Sequence, residues 1–243
     1  MNFIIPMAGN GSRFVDAGFD IPKFLIKANG KKLIEYSLKS LPLEIATKII
    51  FVALEKHNRF FSLKKELQSL LPNGVKFELL LIDKVTQGQA ETVYLTKNLI
   101  DFSKDLVIYN IDTFFESNSL KKTLLSSTKF DGVLGSFKDS GANWSFAKVG
   151  VEGFVEKTSE KIPISNNALT GFYHFSNPHD FFDSFEYHKN NNIKFKDEFY
   201  IAPMYNYLIM MGKRFVLDFT NTFVPLGTPE EIKAFDPNFT KKN

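Results

Sequence analysis

Apolar, strand-like segments alternate with amphipathic, helix-like ones through the first half of the chain, and that alternation narrows the fold more than any single motif. Residues 2–5, 48–53 (KIIFVA), 75–82 and 105–111 (DLVIYNI) read as buried strands. Between them, residues 31–41 carry Ile34, Leu38 and Leu41 on one helical stripe, and residues 58–71 carry Phe60, Leu63, Leu67 and Leu70. Pro72-Asn73-Gly74 stops that second helix, and residues 89–100 read as a third. Strand and helix in turn build βαβ units with right-handed crossovers. The expected class is therefore α/β, a mostly parallel mixed sheet flanked by helices.

The second half has a different rhythm. Residues 132–137, 146–150, 154–156 and 169–175 read as strands with few helices between them. Residues 177–189 and 199–211 then read as helices, the latter with Ile201, Met204, Tyr205 and Leu208 in register. A last strand at 213–219 precedes a short helix at 229–235, opened by Pro229 in its first turn. No repeat, low-complexity tract or linker interrupts the chain, so one domain over residues 1–243 is expected.

Bulk properties exclude several classes of function. A chain of 243 residues buries roughly 70–75% of its unfolded surface. A net charge of +3 is too small to point to nucleic acid, and Lys241-Lys242-Asn243 reads as a solvated tail. The absence of cysteine rules out disulfides and thiolate catalysis and fits a reducing compartment. No signal-peptide pattern or membrane-length apolar run is visible, so a cytoplasmic protein without membrane contact is expected. Assembly of identical copies is compatible with this composition.

The first apolar run, Phe3-Ile4-Ile5, empties into Met7-Ala8-Gly9-Asn10-Gly11-Ser12-Arg13. In an open parallel sheet, ligands bind beyond the carboxyl ends of the strands. Glycines there let backbone N–H groups approach an anion, and Arg13 adds a cationic fork. A plain turn with a surface arginine is the alternative, since the loop is neither the Walker pattern nor the full dinucleotide fingerprint. Ten residues on, Pro22 stiffens the chain before Lys23, which lies between apolar neighbours.

Residues 7–14 (MAGNGSRF) followed by Pro22-Lys23 resemble the sugar-1-phosphate nucleotidyltransferases, also called pyrophosphorylases. The resemblance runs along most of the chain. Residues 87–93 (QGQAETV) look like a base-recognition segment and Asn110-Ile111-Asp112 like a strand end carrying a metal-binding aspartate. Val155-Glu156-Lys157 is similar to an acceptor-side Glu-Lys pair, and residues 170–175 (TGFYHF) and 226–230 (LGTPE) match later elements. The resemblance implies a Rossmann-like, glycosyltransferase-A-type fold, with a nucleotide-binding half over residues 1–130 and an acceptor-binding half over 131–243. It implies Mg²⁺ on Asp112, a nucleoside triphosphate on residues 7–13 with Gln87 and Gly88, and a phosphosugar or other phosphomonoester on Glu156, Lys157, Thr170 and Gly171. Arg13, Lys23 and Asp112 would be catalytic, and the product would serve surface-polysaccharide precursors.

Each residue has a plainer role to set beside this. Asp112 could cap a helix beginning near Ser117, Gln87-Gly88 could be a turn, and Glu156-Lys157 could be a solvated pair. Trp144 and the many phenylalanines read as core, and the four histidines show no metal-ligand spacing. The chain also departs from the family. Pro225 stands where a second metal-binding aspartate is expected, so either one carboxylate suffices or Glu198, Asp218 or the acceptor completes the shell, and Ala147 replaces a glycine near the acceptor pocket, its methyl narrowing that space. Three other readings therefore stay open: a cytidylyltransferase acting on a phosphorylated polyol or amino alcohol, a glycosyltransferase of related fold, and a silent nucleotide-binding protein. Against the glycosyltransferase, Asn110-Ile111-Asp112 has only the second carboxylate of the usual Asp-any-Asp motif.

Overall fold

The computed structural model describes residues 1–127 and 130–240; Lys241-Lys242-Asn243 lie outside the described residues. β1 (Asn2–Pro6) buries Phe3 and Ile5 in one core and Ile4 in another. A strand covered on both faces can be apolar at successive positions. The loop after it leads to α1 (Ser12–Asp16), a two-residue ribbon of β2 (Lys27–Ala28) and β3 (Lys31–Lys32), and α2 (Leu33–Lys39). Next come β4 (Lys48–Leu54), α3 (Glu55–Phe61), α4 (Leu63–Leu70), β5 (Phe77–Ile82), α5 (Gln89–Tyr94) and β6 (Leu106–Tyr109). β1 pairs in parallel with β4 on one side and β6 on the other, and β4 pairs in parallel with β5. The chain thus winds outward from β1 and then returns to its other edge. The switch point lies between β1 and β6, where a parallel sheet opens a crevice beyond its carboxyl ends.

After β6 come β7 (Thr113–Glu116), α6 (Leu120–Leu124), β8 (Gly132–Lys138), β9 (Ser145–Val149), β10 (Val155–Glu160) and β11 (Asn167–Phe175). α7 (Pro178–Asn190), α8 (Met204–Met210), β12 (Phe215–Phe219), β13 (Thr222–Pro225) and α9 (Pro229–Phe235) complete the chain. β11 runs antiparallel to β6 and carries the sheet on to β8, β9 and beyond, giving nine strands in all. The sheet is mixed: the crevice half is parallel, the pairings of β11 are antiparallel, and β12 runs parallel to β8 beyond them. Among the described residues, no helix is long and apolar enough to cross a membrane.

Four segments differ from the sequence-based expectation. The helix expected at 58–71 is two helices, because Ser62 takes left-handed angles (φ 48°, ψ 48°) and turns the chain between them. Phe60 consequently lies outside the apolar stripe, 80% exposed. The helix expected at 199–211 starts only at Met204, since the backbone of Phe199 is spent on α5: its N–H donates to Gln87 O (2.7 Å) and its carbonyl accepts from Ala90 N (3.0 Å). The helix expected at 89–100 ends at Tyr94 and continues as single turns with bonds between residues three apart. The ribbon of β7 and β13 was not anticipated at all.

Asn2 is a fully buried polar residue at the start of β1. Its side-chain nitrogen donates to the carbonyls of Asp101, Lys104 and Asp105, and its oxygen accepts from Asp101 N. The amide therefore ties β1 to the turn that feeds β6 and sets how the two strands lie. Truncation would remove all four hydrogen bonds of a buried side chain, so Asn2→Ala should lower the unfolding free energy by about 2–4 kcal/mol. Urea denaturation checks this; a loss below about 0.5 kcal/mol would show that the amide contributes little.

Candidate active site

Two hollows open at the carboxyl ends of β1 and β6, with volumes of about 440 and 350 Å³, in the range of small-molecule sites. The first is walled by residues 6–12, Lys23, Val85, Thr86 and Gly88. The second is walled by Arg13, Trp144, Glu160, Lys161, Thr170 and Tyr200, among others. Gln89, Asn110 and Asp112 border both.

The loop between β1 and α1 presents bare backbone. The N–H groups of Gly9, Asn10, Gly11 and Ser12 make no hydrogen bond within the described residues. A Cβ on Gly9 would meet nothing within 4 Å, so the first hollow comes right up to the main chain there. Gly11 has φ 63°, the left-handed region a glycine adopts without steric cost, and Lys23 packs beside it. The ammonium of Lys23 reaches across the hollow to Asp112 Oδ2 at 2.7 Å.

Asp112 follows β6 and precedes β7, and the β7–β13 ribbon draws the C-terminal segment onto it: its carbonyl accepts from Leu226 N (2.9 Å). It caps no helix; α6 starts at Leu120, whose N–H donates to Ser117 Oγ. Burial works against the charge of Asp112, but the Lys23 ammonium beside it prevails and holds the carboxyl below its ordinary range. Pro225 lines the second hollow without a polar side chain, while α9 brings Glu231 alongside. A Cβ built on Gly227 would lie 3.4 Å from both Asp112 Oδ2 and Glu231 Oε2. Burial, with Asp112 adding to it, pushes Glu231 up, although Gly227 N donates to its Oε2 (2.8 Å). Asp218 is turned away, taken up by the hydroxyls of Ser117 and Ser119.

Not every residue expected at the site lies in it. Met7, Ala8, Gly9, Asn10, Gly11, Ser12 and Gly88 wall the first hollow, and Thr170 and Gly171 the second. Arg13 also lines the second, close enough to Asp112 and Glu231 to act on their charges. Gln87 is exposed and its amide oxygen accepts from Lys194 (3.0 Å), outside the hollow; Gln89, two residues on, faces inward instead. Glu156 and Lys157 are exposed too, with Glu156 beside Lys148. A bulge at residues 155–157 turns Glu156 out of the strand's inward phase. The second pair on the same segment, Glu160-Lys161, lines the hollow. The repeat Glu-Lys-Thr-Ser-Glu-Lys was the available signal, and the bulge decides between its two copies.

Trp144, read from sequence as core, is a wall of the second hollow, set edge-on to Phe137 and Phe223. Ala147 does not line that space: it is fully buried in the core. Glu160 is buried, its carboxylate accepting from the Ser145 hydroxyl, and burial raises its pKa despite that bond and the nearby Lys161.

The mixed sheet, with its crevice beyond β1 and β6, is the glycosyltransferase-A-type architecture. A family model described as nucleotidyl transferase matches residues 3–202, and the chain belongs to that family. A nucleoside-diphosphate-sugar pyrophosphorylase from Vibrio cholerae RC9 is similar over nearly its whole length, with TM-score 0.82, 31% identity, and coverage of 96% of this chain and 98% of that one. An inositol-1-phosphate CTP transferase from T. maritima shares the fold (TM-score 0.74, 19% identity, 95% and 90% covered). So does a Bacillus anthracis protein described as a glucose-1-phosphate thymidylyltransferase (TM-score 0.76, 20% identity, 99% and 96% covered). No curated protein matches the sequence.

Because the folded chain favours the protonated form of Glu160, ionisation there costs stability, and the cost grows as pH rises through its raised pKa. Glu160→Gln keeps an acceptor for Ser145 and removes the charge. It should raise Tm at pH 7.5 by roughly 2–4 °C for each kcal/mol relieved, and leave Tm unchanged near pH 4. Thermal unfolding at the two pH values measures this; a lower Tm at pH 7.5 would show that the charge is well paired.

Proposed function

We propose that the protein transfers a nucleotidyl group from a nucleoside triphosphate to the phosphate of a phosphosugar or a similar phosphomonoester, releasing pyrophosphate. The observation that carries this reading is the junction: a hollow floored by bare N–H groups and Lys23 meets a second hollow at Asp112. The first suits a polyphosphate and the second an acceptor, so the α-phosphorus would stand where they join. Similarity to the Vibrio cholerae pyrophosphorylase at 31% identity supports the same class of reaction.

In this reading an oxygen of the acceptor phosphate attacks the α-phosphorus in line, the bond to the bridging oxygen breaks, and pyrophosphate leaves with the electron pair. A phosphomonoester with a second pKa near 6 is already largely ionised at neutral pH, so no side chain has to take a proton. The protein's work is positioning and charge neutralisation. Gly9, Gly11 and Ser12 hold the β- and γ-phosphates by their N–H groups, and Lys23 turns from Asp112 to the α-phosphate. Lys161 holds the acceptor phosphate, and Glu160 accepts from a hydroxyl or other donor on the acceptor body. Arg13, in the wall of the second hollow, meets charge redistributed during transfer.

The donor set at the junction fits Mg²⁺. Asp112 and Glu231 offer carboxylate oxygens beside an uncrowded Gly227, and Mg²⁺ commonly takes one or two carboxylates and fills its shell with phosphate oxygens and water. Bound there, it would neutralise phosphate charge and bring the two reacting phosphates together.

The defining experiment is a matrix of the common triphosphates against phosphosugars, phosphorylated polyols and phosphorylated amino alcohols, read by pyrophosphate release. Release with a phosphosugar is expected. Release confined to a non-sugar acceptor would select the cytidylyltransferase-like alternative, and triphosphate binding without release would leave a nucleotide-binding protein. Arg13→Ala should lower kcat by about 10²–10³-fold; an effect confined to the acceptor KM would assign Arg13 to acceptor binding. Asp112→Asn should abolish Mn²⁺ binding in the presence of nucleotide, followed by electron paramagnetic resonance; unchanged binding would move the cation elsewhere.

A further inference from the structure

Two side chains at the junction have no part in the scheme above. Gln89 opens α5 and Asn110 ends the β6 segment, and with Asp112 they are the residues that border both hollows. Whatever atom passes from one hollow to the other passes these amides.

The bond to Gln89 sets which end of the Asn110 amide is left free. Its side-chain oxygen accepts from the Gln89 amide nitrogen, which leaves the Asn110 nitrogen as the free end, lying over Gly171 in the wall of the second hollow. That nitrogen makes no hydrogen bond within the described residues. Gly171 leaves room for it on the side of the second hollow. The carbonyl of Gly171 accepts from Asn110 N (3.3 Å), and a Cβ on Gly171 would strike the Asn110 amide. Gly171 also has φ 86°, so two separate constraints keep that position bare.

We infer that Asn110 donates a hydrogen bond to the transferring phosphate and that Gln89 is the positioning residue that keeps the donor aimed. The inference rests on the proposed nucleotidyl transfer. As the acceptor oxygen bonds to the α-phosphorus and the bridging oxygen departs, charge redistributes over the remaining α-phosphate oxygens. A preorganised neutral donor at that place stabilises it without a proton moving. A reversed amide would present its oxygen to the phosphate and repel it, which gives the Gln89 bond its purpose.

A purely structural role would be to tie α5 to β6. Asn110→Asp separates the two, because a carboxylate still accepts from Gln89 but offers no donor and adds repulsion. We expect kcat to fall by about 10²-fold or more, with Tm and triphosphate affinity close to wild type. Asn110→Ala should fall comparably and supplies the test if the aspartate variant does not fold. Gln89→Ala should cost less, and Gln89→Ala combined with Asn110→Ala should be no worse than Asn110→Ala alone, because the two act as one unit. Asn110→Asp retaining more than about a third of wild-type kcat, or a loss confined to the acceptor KM, overturns the inference and leaves the transfer reading standing. Wild-type protein that releases no pyrophosphate with any pair in the matrix overturns both.

Discussion

Parallel pairing of β1 with both β4 and β6 is the constraint on which the rest of the molecule depends. Parallel strands end at a common edge, and reversal of the winding direction at β1 leaves a crevice there. Met7 N still donates to Val52 O of β4, and beyond it the N–H groups of residues 9–12 make no hydrogen bond within the described residues. At the opposite end of β1, the amide of Asn2 grips the turn before β6. Hydrogen bonds at one end of a five-residue strand thus help place the glycine loop and Asp112 opposite each other at the other end.

Three carboxylates face the second hollow, and their charge states are set by their partners as much as by burial. Asp112 sits against an ammonium and is held low. Glu160 and Glu231 take their closest hydrogen bonds from neutral donors, a serine hydroxyl and a backbone N–H, and burial raises both. The site therefore concentrates its settled negative charge at the junction and keeps more readily protonated carboxyls around it. Such a gradient suits a reaction in which phosphate charge must be gathered at one point while the acceptor body is held by hydrogen bonds.

Most of the strands were legible because a buried strand writes itself as a short β-branched or aromatic run. The glycine loop and Lys23 were legible because little else accounts for two glycines and a lysine after Pro22 at the end of such a run. Several other features were not. The left-handed turn at Ser62 breaks a helix whose apolar spacing is unbroken in sequence. Gln87 and Gln89 are chemically alike, and only the pull of Lys194 and Asn110 decides which amide faces inward. Trp144 has the composition of a core residue, and its place in a cavity wall follows from the edge-on packing of Phe137 and Phe223.

The amino-acid sequence alone determined the α/β class, the anion-ready loop after the first strand, and the family whose motif order this chain keeps. Those depend on local pattern: periodicity, glycine content and the order of short motifs. The folded structure decided which of two Glu-Lys pairs reaches the second hollow, that Arg13 lines it, and that Glu231 comes up beside Asp112. The bulge at residues 155–157 selects the pair by a register shift that two-residue alternation does not show, and the ribbon of β7 with β13 joins segments far apart in the chain, where sequence spacing carries no distance information.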